Sequence, residues 1–331
     1  MRERFAGILG LGSYVPEKVV TNRDLERLVD TTDEWITERT GIRERRIAGE
    51  GETTSAMATR AAERALADAG VGAEELDLII VATVTPDMIF PSTACLVQAN
   101  LKAKRAAAFD LTAVCSGFVY GLVVGGELIR SGMYRKVLVI GAETLSRITD
   151  PADRNTLIVF ADGAGAAVLG ETAPGYGIVG ADLGADGTGG ELLKVPAGGS
   201  RQPATAATVA GRLHYIQMNG KEVFKFAVKI MGDSALKALA GANVAPAEVA
   251  LLVPHQANIR IIQSAAKRLA MPMEKVYVNV DRYGNTSAAS VPLALDEAVK
   301  AGRVKNGDVV VLVGFGGGLT WASCAVRWLK D

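Results

Sequence analysis

Along the chain, short apolar runs alternate with longer stretches in which apolar positions recur every three or four residues. LDLIIVAT (76–83), AAAFDLT (106–112) and KVLVIG (136–141) have the continuous apolar character of strands buried on both faces. Between them, TSAMATRAAERALADAG (54–70) and GFVYGLVVGGELIRSG (117–132) carry helical spacing and end in glycine, which closes a helix in a left-handed cap. Strands alternating with helices predict an α/β chain with mainly parallel sheets covered by helices. The amino-terminal MRERFAGILGLGSYVPEK has basic residues before an apolar run, but the run is short and glycine-broken and lacks a small-residue cleavage site. It reads as a first strand rather than a secretory signal.

The pattern occurs twice. ALADAGVGAEELDLIIVAT (65–83) resembles ALAGANVAPAEVALLVPHQ (238–256) at an offset of 173, and the same offset pairs VLVIG (137–141) with VVLVG (310–314). Two matches in one register predict two homologous halves, 1–172 and 173–331. A further strand follows in each, GAGAAVLGE in the first and LTWASCAVRWL in the second. Functional loops are expected where strand ends of the two halves meet. There the offset sets Cys115 against Ala288, Thr112 against Asn285 and Ala82 against His255, so equivalent positions carry different chemistry.

Composition narrows the class. With 331 residues the chain exceeds what one hydrophobic core usually fills, and 49% hydrophobic residues with 37 glycines and 5% aromatics suit close packing on small side chains. Lys+Arg and Asp+Glu are 36 each, which leaves no basic excess for nucleic acid. No charge-free apolar stretch is long enough to span a membrane. Cys95, Cys115 and Cys324 are odd in number and widely spaced, which predicts a reducing cytoplasm without disulfides or a zinc site.

Cys115 stands where AAAFDLT gives way to a helical pattern. A cysteine at a helix amino terminus has its thiolate favoured by unpaired N–H groups and the macrodipole, although a free cysteine is equally often a small buried hydrophobe. Cys95 in FPSTACLVQANL and Cys324 in TWASCAVRW lack polar neighbours and are assigned to the core. His255 in LLVPHQANIRII lies directly after a buried-strand pattern, whereas His214 in GRLHYIQMNG reads as structural. Asn285 in YGNTSAAS suits a turn or cap as well as a site. GFGGGL (314–319) offers unobstructed backbone N–H groups to an oxyanion or simply turns between strands. GLGSYV and GFGGGL both begin as G-x-G, but Val15 and Leu319 stand where a dinucleotide-binding loop needs its third glycine.

TAVCSGF, PHQAN and YGNTSAAS together resemble the condensing enzymes of the thiolase superfamily, and most closely the β-ketoacyl-[acyl carrier protein] synthase III family. The resemblance runs from GSYVPEKVVTN and DTTDEWITERTGIRERR through FADGAGAAVL to GFGGGLTW. It implies a thiolase-like fold in which the duplicated βα halves form five αβαβα layers. It also implies an acyltransferase that initiates type II fatty acid synthesis by decarboxylative condensation of a short acyl-CoA with malonyl-[acyl carrier protein]. Cys115 would carry the acyl group, His255 and Asn285 would stabilise the malonyl enolate, and the N–H groups of Cys115 and Gly317 would hold the oxyanion. No metal or organic cofactor is implied, and coenzyme A enters as the substrate thioester.

The matching positions extend the implied site. Trp35, Arg39 and Arg154 would hold the nucleotide of coenzyme A, and Gly220, Phe224, Ala257 and Asn258 its pantetheine arm. Lys221 replaces the asparagine common in the family after that glycine. Lys221, Lys225 and Lys229 recur every four residues, and the resemblance singles out Lys225 and Arg260 for an acidic carrier protein. Phe90 would reach the acyl pocket of a partner in a homodimer. A synthase III-like enzyme of secondary metabolism, or a non-catalytic acyl-binding relative, shares much of this pattern, and the primer acyl group is not legible.

Overall fold

The computed structural model describes residues 3–330. Its principal elements are β1 (Phe5–Tyr14), α1 (Asp33–Thr40), α2 (Thr54–Ala69), β2 (Leu78–Ala82), α3 (Thr93–Asn100), β3 (Ala107–Leu111), α4 (Gly117–Arg130), β4 (Lys136–Thr144) and β5 (Asp162–Thr172), followed by β6 (Gly177–Ala185), α5 (Gly220–Gly241), β7 (Val249–Pro254), α6 (Ile259–Arg268), α7 (Ser290–Lys300), β8 (Val309–Gly316) and β9 (Thr320–Arg327). The first sheet has the order β1–β5–β4–β2–β3, and the second has β6–β9–β8–β7, so their shared strands lie in one order.

The sheets are mixed rather than mainly parallel. β2 runs parallel to β3 and β4, and β7 runs parallel to β8, but β4/β5, β5/β1, β8/β9 and β9/β6 are antiparallel. Only Gly317–Leu319 separate β8 from β9, which is too short for the crossover a parallel pair needs. Among the described residues the second sheet has no counterpart of β3: there Val276 makes a single bridge to Leu252 and the chain enters a short helix at Val280–Tyr283. That irregular stretch delivers Asn285.

Alternating side chains along the strands feed separate apolar layers. Ile79, Val81, Leu138 and Ile140 pack outward on Met57, Ala61 and Ala65 of α2. Ile80, Val139, Leu251, Val253 and Leu312 point inward and enclose Phe118 and Leu122 of α4 with Val291 and Leu295 of α7. Leu252, Val311 and Val313 meet Ala227, Met231 and Ala235 of α5 on the far side. The result is the thiolase-like five-layered αβαβα arrangement read from the sequence. Gly10 and Gly12 of GLGSYV serve this packing. A β-carbon on them would stand 2.4 Å from Ala69 N and 2.3 Å from Ala65 N, so they let α2 lie directly on β1.

Two cysteine expectations part company. Cys324 is buried in β9, but Cys95 is exposed and must be removed from the core. Ala94 and Val97 take the buried side of α3, which covers the edge strand β3 and leaves Cys95 facing outward with its sulfur 4.0 Å from Ala108 O. His214 has the structural role expected, with Nε2 2.9 Å from Thr208 Oγ1. Among the described residues, no helix is long and apolar enough to cross a membrane.

Candidate active site

Cys115 sits in the middle of a single 3₁₀ turn, Val114–Ser116, that runs directly into α4. Val114 holds a φ of +49°, a left-handed backbone that a β-branched residue rarely adopts, and the turn points Cys115 into the interface between the halves. Its partner 173 residues later is Ser287, with φ +48°, in the turn Ser287–Ala289 before α7. The duplicated elbows interlock. A β-carbon on Gly141 would stand 2.2 Å from Ala288 O, and one on the equivalent Gly314 would stand 3.0 Å from Cys115 O. Each half therefore supports the elbow of the other.

Burial pushes the Cys115 thiol up to about 12, against the pull of Ser287 and its own backbone N–H and with the push of the Glu143 charge. The burial of Cys115 thus works against the helix amino terminus, and the thiol stands above its ordinary value, not below it as the helix alone predicts.

His255 follows β7 and donates its backbone N–H to Val313 O at 2.7 Å. Its ring lies edge-on to Phe315, and burial holds the imidazole down to about 3, so it is neutral. Nδ1 is 2.6 Å from Ser290 Oγ, which also accepts from Gln256 N–H at 3.4 Å. Where the Ser290 hydroxyl donates to Nδ1, the imidazole proton stands on Nε2.

Asn285 is fixed by its backbone against the first half: its N–H donates to Val159 O and its carbonyl accepts from Ala161 N–H, both at 2.9 Å. Gly284 makes the entry possible, with φ +59° and ψ −155°, a region open essentially to glycine. Asn285 Oδ1 accepts from Ser287 N–H at 2.8 Å, which leaves Nδ2 as the free end of the amide.

Cys115, His255 and Asn285 open onto one cavity of about 620 Å³. Its wall also includes Arg39, Gly220, Phe224, Ala257 and Asn258. Asn258 caps α6 through Arg260 N–H and donates to Arg39 O, so it shapes the wall as well as lining it. Trp35 lies outside this lining, with the Arg39 and Arg154 guanidinium carbons 4.4 and 4.7 Å from its ring centroid. From the glycine loop the wall includes Gly316, not Gly317, which packs near Leu193 O. Lys225 and Arg260 are exposed; Lys225 pairs with Glu222 at 2.7 Å, and Arg260 Nη2 donates to Glu38 O at 2.9 Å. Phe90 is 82% exposed and takes no part in its own cavity.

Sequence reasoning missed Glu143, Ser287 and Ser290. Glu143 is a charge at the end of the apolar run VLVIGAE, and the offset places it opposite Gly316; that contrast was its available signal. A second cavity of about 220 Å³, lined by Val84, Val114, Leu145, Ile148, Phe160, Ile216 and Ser287, also touches Cys115.

Comparison with known proteins accords with this geometry. A family profile described as 3-oxoacyl-[acyl-carrier-protein (ACP)] synthase III matches residues 109–187, and one described as its C-terminal part matches 239–328. The β-ketoacyl-[acyl-carrier-protein] synthase III of Caldanaerobacter subterraneus subsp. tengcongensis is 60% identical over 98% of each chain, and that of Clostridioides difficile is 55% identical over 98% of each. The crystal structure of 3-oxoacyl-[acyl-carrier-protein] synthase III from Aquifex aeolicus VF5 superposes with a TM-score of 0.90 at 50% identity, covering 98% of this chain and 100% of that one. The priming β-ketosynthase of the R1128 polyketide pathway gives 0.92 at 39% identity, covering 100% and 98%.

Proposed function

The chain belongs to the 3-oxoacyl-[acyl-carrier-protein] synthase III family, and we propose that it works through an acyl-Cys115 intermediate, with His255 and Asn285 activating malonyl-[acyl carrier protein]. It is an acyltransferase, an initiating condensing enzyme of fatty acid synthesis. The observation that carries the residue assignment is the convergence of Cys115, His255 and Asn285, drawn from both halves, on one cavity. The halves 1–172 and 173–331 divide the work, the first holding the nucleophile and the second the two donors.

In the first step the Cys115 sulfur attacks the carbonyl of a short acyl-CoA. The N–H groups of Cys115 and Gly317 hold the oxyanion, the bond to the coenzyme A sulfur breaks, and the thiol proton ends on that leaving sulfur. The acyl chain enters the apolar cavity behind Cys115, bounded by Val84, Leu145 and Phe160. Malonyl-carrier protein then places its thioester carbonyl against His255 Nε2–H and Asn285 Nδ2–H. The bond to the carboxylate breaks, carbon dioxide leaves, and its electron pair becomes an enolate held by two donors that carry no charge. The enolate carbon attacks the acyl-Cys115 carbonyl, and collapse frees 3-oxoacyl-carrier protein and a Cys115 sulfur that regains a proton.

Trp35, Arg39 and Arg154 flank the route taken by the nucleotide of coenzyme A, while Gly220, Phe224, Ala257 and Asn258 guide its pantetheine arm. Lys225 and Arg260 supply positive charge for the acidic carrier protein. The exposed Ile89 and Phe90, with the unpaired edge of β3, support a homodimer in which Phe90 closes the partner's acyl cavity. Free cysteines and soluble carrier substrates fit the cytoplasm.

The test offers acetyl-, isobutyryl- and longer acyl-CoA in competition and reads the mass of the protein adduct. A single acyl group on Cys115, absent from Cys115→Ala, is expected, and it identifies the primer. Its chain length also separates fatty acid synthesis from a specialised priming role. An acyl group retained by Cys115→Ala would sink the nucleophile assignment.

A further inference from the structure

Glu143, at the carboxyl end of β4, is fully buried beside the nucleophile and has no part in the chemistry above. Its carboxylate accepts from Thr85 Oγ1 at 2.6 Å, Val84 N–H at 3.1 Å and Thr83 Oγ1 at 3.2 Å, all from the segment that follows β2 in the first half. Its remaining donor is Ser287 Oγ at 3.0 Å, which belongs to the second half. Three anchors thus fix the carboxylate, and the carboxylate in turn fixes one hydroxyl across the interface.

Ser287 also reaches Asn285. Its N–H donates to Asn285 Oδ1 at 2.8 Å, and its own backbone stands at φ +48°, which an ordinary residue holds only under constraint. We infer that Glu143 and Ser287 form a positioning pair: the buried carboxylate holds the Ser287 elbow, and the Ser287 N–H holds Asn285 with its Nδ2 turned into the cavity. The inference rests on the reading of Asn285 as a donor to the malonyl thioester.

The duplication gives an internal comparison. The 173-residue offset maps Ser287 onto Val114 and Glu143 onto Gly316, so the elbow that carries Cys115 has the same left-handed residue but no carboxylate anchor. The first elbow presents a sulfur on a backbone already braced by Gly314 and Gly316. The second must aim an amide, whose two ends differ, and only there has the anchor been installed.

The experiment separates the half-reactions in Ser287→Ala, Ser287→Gly, Glu143→Ala and Glu143→Gln, with Asn285→Ala as the benchmark. Labelled acyl-CoA measures Cys115 acylation, and labelled malonyl-carrier protein measures carbon dioxide release. Both Ser287 variants and Glu143→Ala are expected to lose carbon dioxide release on the order of 10²-fold in kcat with the KM for malonyl-carrier protein little changed, while acylation, which feels Ser287 and Glu143 only through their effects on the Cys115 thiol, changes by no more than roughly tenfold. Ser287→Gly accepts the left-handed backbone, so its loss reports the missing hydroxyl rather than a failed fold. Glu143→Gln keeps an acceptor oxygen for Ser287 and should lose roughly tenfold less than Glu143→Ala.

Equal losses in both half-reactions would overturn the inference, because the carboxylate would then serve the thiol or the fold at large. Glu143→Gln falling as far as Glu143→Ala would also overturn it, by making charge rather than geometry the requirement. Wild-type carbon dioxide release in the Ser287 variants, with Asn285→Ala inactive, would remove the pair and leave the role of Asn285 standing. Carbon dioxide release retained by Asn285→Ala would instead remove the role of Asn285 itself.

Discussion

A β-carbon on Gly316 would stand 2.6 Å from the backbone nitrogen of Cys115. The end of β8 in the second half is therefore the floor beneath the nucleophile of the first, and no side chain fits between them. Gly316→Ala is expected to displace the elbow, cutting Cys115 acylation on the order of 10²-fold and costing about 1–3 kcal/mol of stability. Gly314→Ala, whose β-carbon would lie 3.0 Å from Cys115 O, should do less. Burst kinetics with labelled acyl-CoA and thermal melts check the pair. Gly316→Ala acylating at wild-type speed would place the support of the nucleophile elsewhere.

Asn285→Asp should separate the two half-reactions. The new carboxylate can still accept from Ser287 N–H, but it turns an oxygen where Nδ2–H stood and sets negative charge against the enolate. Carbon dioxide release from malonyl-carrier protein should fall by at least roughly 10²-fold, while Cys115 still takes up an acyl group. Rapid decarboxylation by this variant would remove Asn285 from the enolate site.

The contrast between residues 115 and 143 shows what the sequence could disclose. Cys115, His255 and Asn285 each stand at a break in a hydrophobic pattern, and the repeat set each against a dissimilar residue in the other half. The layers followed from continuous apolar runs, since Ile79 and Ile80 must both find apolar neighbours on opposite faces. Strand direction was not legible, because it depends on connections such as Gly317–Leu319 rather than on the strands themselves. Cys95 misled because an edge helix looks as apolar as a central one until the strand beneath it is known to lack a neighbour. Glu143 and Ser287 stayed hidden for another reason: their meaning lies in a hydrogen bond between residues 144 positions apart.

Glu143 also gives stability a defined pH dependence. Burial pushes its carboxyl up to about 7 from 4.5, so the native state retains a proton that the unfolded chain releases. That contribution is complete below pH 4.5 and is lost as pH rises through about 7. His255 slopes the other way: its folded value near 3 lies below the unfolded 6.5, so its contribution is present above 6.5 and is lost as pH falls toward 3. Glu143→Gln removes only the first slope. Relative to wild type, the variant should gain on the order of 2–3 kcal/mol between about pH 5 and pH 8, and then level off. Urea melts across that range read the difference directly. A flat difference would mean that the carboxyl is ionised in the fold throughout.

Opposite ends of the substrate route should respond to different variants. Trp35 is half-buried between α1 and the Arg39 and Arg154 guanidinium groups, which leaves it suited to a flat aromatic base with positive charge close by. Trp35→Ala is expected to raise the KM for acyl-CoA roughly twofold to thirtyfold, as loss of a stacking contact of about 0.5–2 kcal/mol implies. An acyl-pantetheine lacking the nucleotide should be used equally well by variant and wild type. Lys225→Glu combined with Arg260→Glu should leave acyl-CoA handling intact and raise the KM for malonyl-carrier protein, most strongly at low salt, because exposed charges act mainly by steering. The double dissociation is the diagnostic result. If Trp35→Ala weakened acyl-pantetheine use equally, Trp35 would be supporting the fold of α1 rather than the nucleotide, and an unchanged KM for carrier protein in the charge-reversed variant would move the docking face away from Lys225 and Arg260.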